Sequence, residues 1–263
     1  MFFESSDKIF NGKTALIIGG SGGIGAELSN LLSETGADLI IHGKSAKKLS
    51  AISNKIKNKS GKTPKTVSYD FRALILQSTF QGLSDCELFH SAQSADILCV
   101  CYGPFLQKDL RKMTSADWLE TTLLNYALPG TFLSASLDNM IQKKWGRILL
   151  FGGTGTASRT EFKTNAPYAG AKSALNVLVR SVAAYYAKYG ITCNAVLPGF
   201  TKTEYISAET ESLCAEKMPL STMILPQSVA KAALFLLSNP DLNGVLLQID
   251  RGWTPDSKTA LFS

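Results

Sequence analysis

Ala15-Leu-Ile-Ile-Gly-Gly-Ser-Gly-Gly-Ile-Gly-Ala-Glu-Leu28 runs from an apolar stretch through a cluster of glycines into an amphipathic pattern. The order is strand, glycine turn, helix. Such a turn lets backbone N–H groups and the positive end of a helix meet a pyrophosphate, and small residues permit the close approach. Gly19, Gly23 and Gly25 are spaced Gly-x-x-x-Gly-x-Gly, with Ser21 and Ile24 between them, and not as the Gly-x-Gly-x-x-Gly of the commoner dinucleotide folds.

Outward from this turn, apolar runs alternate with helical patterns along all 263 residues. Strands are expected at Thr14 to Gly19, Asp38 to His42, Thr66 to Asp70, Ile97 to Cys101, Arg147 to Phe151, Thr192 to Leu197 and Val245 to Ile249. Segments such as Ile24 to Thr35, Trp118 to Lys143 and Tyr168 to Lys188 are long enough for crossover helices. Near-continuous apolar strands alternating with helices imply a parallel sheet covered on both faces. The expected fold is α/β, a Rossmann-like doubly wound sheet in a single domain over 1–263. Its dinucleotide-binding half would cover about 10–150 and its catalytic and lid half about 151–255.

Composition narrows the classes. With 45% hydrophobic and 18% charged residues the chain is neither disordered nor a coiled coil, and no apolar run approaches the roughly 18 residues of a membrane helix. Met1 to Phe10 carries Glu4 and Asp7 and lacks the apolar core of an export signal, so a cytoplasmic protein is expected. Five cysteines and two histidines support neither a disulfide framework nor a metal site. Cys99 and Cys101, two apart on an expected strand, read as packing residues.

Lys44 to Lys65 holds eight lysines and no carboxylate, more than the net charge of +6. A nucleic-acid patch, a phosphate-recognising rim and a solvated helix all fit that run. Leu49, Ile52 and Ile56 recur at helical spacing, and no aromatic residue is interleaved for base stacking, so no nucleic-acid partner is expected. The second strand ends His42-Gly43-Lys44, without the acid that would bind the ribose 2′-hydroxyl of NAD. Lys44 and Ser45, followed by Lys47 and Lys48, offer cations and a hydroxyl to a 2′-phosphate, which favours NADP(H) over NAD(H). Asp70 is positioned to accept from the adenine amino group.

Taken together, Gly19, Gly23 and Gly25, Asp70, Asn125, Tyr168-Ala-Gly-Ala-Lys172, Asn194 with Pro198-Gly199, and Lys217-Met-Pro-Leu220 before Pro226 resemble the short-chain dehydrogenase/reductase family over almost the whole chain. The resemblance implies an oxidoreductase passing hydride between a nicotinamide and a small-molecule carbonyl or secondary alcohol. It also implies a homodimer or homotetramer, with no membrane partner. Tyr168 and Lys172 would be catalytic, with Asn125 supporting a water relay to Lys172. Gly103, Pro198, Gly199, Thr201 and Thr203 would join Tyr168 and Lys172 in holding the cofactor, and Phe200 to Lys217 would form a substrate lid.

The chemistry can also be argued from the residues. Tyr168 and Lys172 are four apart and share a helix face. A phenol, with an unperturbed pKa of about 10, is expected to be lowered by the neighbouring ammonium and to act as general acid or base. The chain departs from the family where a serine usually polarises the substrate carbonyl. Here the sequence is Phe151-Gly-Gly-Thr-Gly-Thr156 and the best match is Gly153, leaving Thr154 or Thr156 to supply the hydroxyl. The family's Asn-Asn-Ala-Gly is Val100-Cys-Tyr-Gly103, which marks a divergent member. Phe105, Phe162 and Tyr205 are candidate pocket walls. The alternative is a dinucleotide-binding sensor or assembly partner with impaired turnover. Reduction of a carbon–carbon double bond fits less well, because that branch spaces its tyrosine and lysine more widely.

Overall fold

Each apolar run becomes a strand, displaced from its expected ends by no more than a residue or two. In the computed structural model, which describes residues 8–73, 83–159 and 161–253, these are β1 (Thr14–Ile18), β2 (Asp38–Gly43), β3 (Lys65–Ser68), β4 (Ile97–Val100), β5 (Gly146–Phe151), β6 (Ile191–Pro198) and β7 (Leu246–Ile249). They form one parallel sheet in the order β3-β2-β1-β4-β5-β6-β7. The order reverses between β1 and β4, where Ile18 pairs with Val100. Ligands of such sheets bind at the carboxyl ends of the strands beside that reversal, and Gly19 follows β1 there.

Alternation along each strand feeds two separate cores. Ala15 and Ile17 face α1 (Gly23–Glu34), α2 (Ala46–Ser60) and the late helix Pro226–Ser238, whose Leu28, Leu32, Ile52, Ile56, Val229 and Leu236 complete that layer. Leu16 and Ile18 face the opposite layer, with Leu88 of α3 (Glu87–Ser94) and Phe132, Leu175 and Val179. Each such side chain, when fully buried, stabilises the fold by roughly 1.5–3 kcal/mol. Cys99 is buried in the first layer, with Cys101 packed against it.

The expected helix Trp118 to Lys143 is helical throughout, begins at Ser115 and contains one wide turn. It divides into α4 (Ser115–Thr122), a π-turn (Leu123–Ala127) and α5 (Leu128–Lys143). Pro129, in the first turn of α5, has no N–H to continue the regular ladder, and the wider turn before it accommodates that loss. The remaining helices are α6 (Ala166–Tyr186), α7 (Ala208–Lys217) and α8 (Pro226–Ser238).

The lysine-rich run is α2 and its flanks, with Leu49, Ile52 and Ile56 buried as the spacing implied. Five of its lysines pair with carboxylates from other elements: Lys44 with Asp70, Lys48 with Glu204, Lys59 with Glu34, Lys62 with Asp38 and Lys65 with Glu87. Five of the eight positive charges are therefore countered by carboxylates of neighbouring elements. Among the described residues no helix is long and apolar enough to cross a membrane. Glu4 and Asp7 lie outside the described residues.

Candidate active site

The glycine turn is built by backbone geometry. Gly19 and Gly23 have φ of 80° and 50°, in the left-handed region that side chains disfavour. A Cβ on Gly25 would fall 2.1 Å from the Gly19 carbonyl oxygen, so glycine there lets α1 close onto β1. Ile24 packs against the core, and Ser21 Oγ lies against Gly43, where a Cβ would come within 2.0 Å of it. The turn thus forms a cradle that side chains would fill, as an anion-binding turn requires.

One support of this turn was not read from the sequence. Buried His42 accepts the Gly19 N–H through Nδ1 at 3.1 Å, and its Nε2 lies 3.0 Å from the Tyr69 carbonyl oxygen. The two contacts require a neutral ring with its proton on Nε2. Burial agrees, lowering the imidazole to about 4. A histidine at a strand end carries no spacing signal, and only the registers of β2 against β1 and β3 reveal its partners.

Around the rim, Lys44 and Asp70 come together at 2.7 Å, and that contact holds the Asp70 carboxyl below its usual range. Ser45 caps α2 by accepting the Lys48 N–H at 3.3 Å. The three residues expected to contact the adenosine are neighbours, but each is engaged with the protein. Pro198, Gly199 and Thr201 lead off β6: Gly199 N–H donates to Ile249 O at 2.9 Å and Thr201 Oγ1 to Gly199 O at 3.0 Å. Thr203 reaches the glycine turn, its Cγ2 3.1 Å from where a Gly23 Cβ would stand. Tyr205, expected in a pocket wall, instead bonds Lys48 through its hydroxyl and is 69% exposed.

The second cluster lies at the carboxyl ends of β4 and β5. Lys172 is buried and donates from Nζ to Phe151 O at 2.8 Å, with the Tyr168 ring centroid 5.7 Å away. A Cβ on Gly103 would fall 2.6 Å from both Lys172 Nζ and Asn125 Oδ1, so these atoms converge over the glycine that follows β4. Asn125, in the π-turn, donates from Nδ2 to Pro104 O and Thr121 O, each at 3.1 Å. Its Oδ1 is buried and has no hydrogen-bond partner among the described residues. A buried acceptor left unpaired costs about 1–3 kcal/mol, so this atom suits a water or a ligand hydroxyl.

The expected lowering of the Tyr168 phenol is corrected. Burial pushes it up to about 12, and the Lys172 amine down to about 8, because the site withholds water from both charged forms. Lys172 is bonded to a carbonyl, and the phenol stays protonated. Phe105 meets the Tyr168 ring edge-on at 5.0 Å, while Phe162 lies beside Arg159.

Both threonines expected to replace the missing serine hydroxyl are engaged with the protein. Thr154 Oγ1 donates to Asp250 Oδ2 at 3.0 Å, since a buried carboxylate is a stronger acceptor than the alternatives. Thr156 Oγ1 donates to Gly153 O at 2.7 Å. A Cβ on Gly153 would stand 3.8 Å from Tyr168 Cε1 and 3.6 Å from Thr156 Cγ2, in ordinary contact with both. The position beside the phenol is thus open to a small side chain, and both candidate threonine hydroxyls are held by the protein.

Comparison with known proteins gives the family and the fold. A family model described as short chain dehydrogenase matches residues 13–213. The 3-oxoacyl-[acyl-carrier-protein] reductase FabG of Aquifex aeolicus is 31% identical over 236 residues, covering 86% of this chain and 90% of that protein. The structure of a short-chain dehydrogenase/reductase from Serratia marcescens superposes with a TM-score of 0.76 at 25% identity, over 92% of this chain and 98% of the other. A 3-oxoacyl (acyl-carrier-protein) reductase from Agrobacterium tumefaciens, solved with NADP bound, shares the fold with a TM-score of 0.82 at 23% identity, over 96% of this chain and all of the other.

Proposed function

The chain belongs to the short chain dehydrogenase family, and on that premise we propose that it is an NADP(H)-dependent reductase of carbonyl groups, with Tyr168 as the proton donor. The observation that carries this reading is a half-buried phenol on the same helix face as a buried lysine, at the carboxyl ends of β4 and β5. Bound nicotinamide would supply or take up the hydride. The turn from Gly19 to Gly25 fits its phosphates, and Lys44 and Lys48 lie on the side where a 2′-phosphate would need cations.

Tyr168 keeps its proton across the neutral range and gives it to a substrate oxygen as negative charge develops there. Lys172, anchored on Phe151 O, offers its remaining donors toward Gly103 and Asn125 Oδ1, where a water or a ribose hydroxyl can be held. The relatives named as 3-oxoacyl-[acyl-carrier-protein] reductases make a 3-oxoacyl thioester the first substrate class to test.

In the test, NADPH oxidation is followed by absorbance with 3-oxoacyl thioesters and a panel of ketones and aldehydes. Tyr168→Phe should lower turnover about 10²- to 10⁴-fold while leaving the NADPH dissociation constant within about threefold of the parent. Unchanged turnover in that variant would overturn the proton-donor role. A second reading, a dinucleotide binder with little turnover, rests on Gly153 and the two engaged threonines. Loss of one carbonyl-polarising donor slows such chemistry by roughly 10²- to 10³-fold. Tight NADPH binding without turnover on any substrate would favour it.

A further inference from the structure

Glu204 stands where an anionic ligand of the glycine turn would have to come. Its Oε2 accepts the N–H of Gly23, the first residue of α1, at 3.0 Å, and its Oε1 accepts from Lys48 Nζ at 2.9 Å. Lys48 Nζ also donates to the Tyr205 hydroxyl at 3.0 Å and lies 4.1 Å from that ring's centroid. The clasp rests directly on the turn: a Cβ on Gly22 would fall 2.2 Å from the Tyr205 hydroxyl and 2.6 Å from Glu204 Oε1. It joins three parts of the chain, the start of α1, the first turn of α2 and the segment after β6.

A helix N-terminus and a lysine ammonium are the donors from which phosphate sites are assembled. Here one side chain of the protein satisfies both. The carboxylate is at hydrogen-bonding distance from each, and phosphates brought to the same donors would meet its negative charge at close range. The two anions cannot share the position.

We propose that Glu204 is an internal competitor for the phosphates of the cofactor. Binding of the dinucleotide exchanges the Glu204 carboxylate for phosphate at the start of α1, frees Lys48 for the incoming anion, and lifts the segment from Thr203 to Tyr205 off the glycine turn. Cofactor affinity is then set partly by how firmly the clasp holds. This inference rests on the dinucleotide reading above.

The test is equilibrium titration with NADPH, followed by its fluorescence, of the parent protein, Glu204→Gln, Glu204→Ala and Tyr205→Phe. An exposed ion pair together with a helix-end contact corresponds to a gain of about 3- to 30-fold in affinity when the competitor is removed. Glu204→Ala should show that gain. Glu204→Gln, which keeps the shape without the charge, should change in the same direction, and Tyr205→Phe, which loosens the grip on Lys48, should gain less. Equal or weaker binding by both Glu204 variants overturns the competitor role while leaving the cofactor assignment standing. Absence of NADPH binding by every protein in the set overturns both.

Discussion

The glycine turn and the rim of β5 both lie at the carboxyl ends of strands of one parallel sheet but are made differently. The turn is a backbone site: its shape is fixed by positions where any Cβ would collide, such as Gly25 against Gly19 O. The β5 rim is a side-chain site, where function depends on which acceptor each hydroxyl finds. Local steric demands restrict residue type and are visible in a sequence. Competition between acceptors far apart in the chain, such as Asp250 for Thr154, is not.

His42 offers the sharpest way to break that contrast, since it is a side chain on which the backbone site leans. Its pKa of about 4 in the fold lies below the 6.5 of an unfolded histidine, so the unfolded chain binds more protons between those values. Stability from His42 is complete above about pH 6.5 and is lost as pH falls toward 4, by about 3 kcal/mol at most. Urea unfolding at pH 7.5 and pH 5 should show the parent losing more stability on acidification than His42→Asn. An identical pH dependence in the two proteins would remove histidine from the account of the turn.

Gly153 tests the other side. Because a Cβ fits there in ordinary contact with Tyr168, Gly153→Ser should fold as the parent does. It should raise turnover about tenfold by returning a hydroxyl to the carbonyl, part of the roughly 10²- to 10³-fold such donors contribute. Turnover that stays flat or falls, with the melting temperature unchanged, would mean that another group already polarises the substrate. The smallest effect is expected at Lys44, whose pair with Asp70 is largely exposed. Lys44→Ala should shift the ratio of NADPH to NADH affinity about three- to tenfold toward NADH, with stability within about 1 kcal/mol of the parent. A ratio that does not move would assign 2′-phosphate recognition elsewhere on α2.

The sequence carried the sheet almost completely, because the apolar runs had to become strands, those in the middle of the sheet buried, and the glycine turn fixed which came first. The apolar stripe of α2 was equally plain. What escaped was set by distance in the chain. The wide turn between α4 and α5 is the exception, a local effect of Pro129 on the residues just before it. The direction of the Tyr168 shift was misread because four-residue spacing reports adjacency but not the exclusion of water, which raises the phenol. Glu204 fell inside the expected lid segment with no role of its own, since nothing in its neighbourhood in sequence signals a bond to Gly23.

The wide turn from Leu123 to Ala127 reaches beyond the asparagine it presents. One additional residue in a helix advances the phase of everything after it by about 100°. The inward orientation of Phe132 and Met140, both completely enclosed, is therefore inherited from that insertion. Shortening the turn by a single residue would act as a rotation of the whole downstream cylinder, swinging its oily stripe toward solvent, and the lesion would register in the hydrophobic layer before it registered in chemistry.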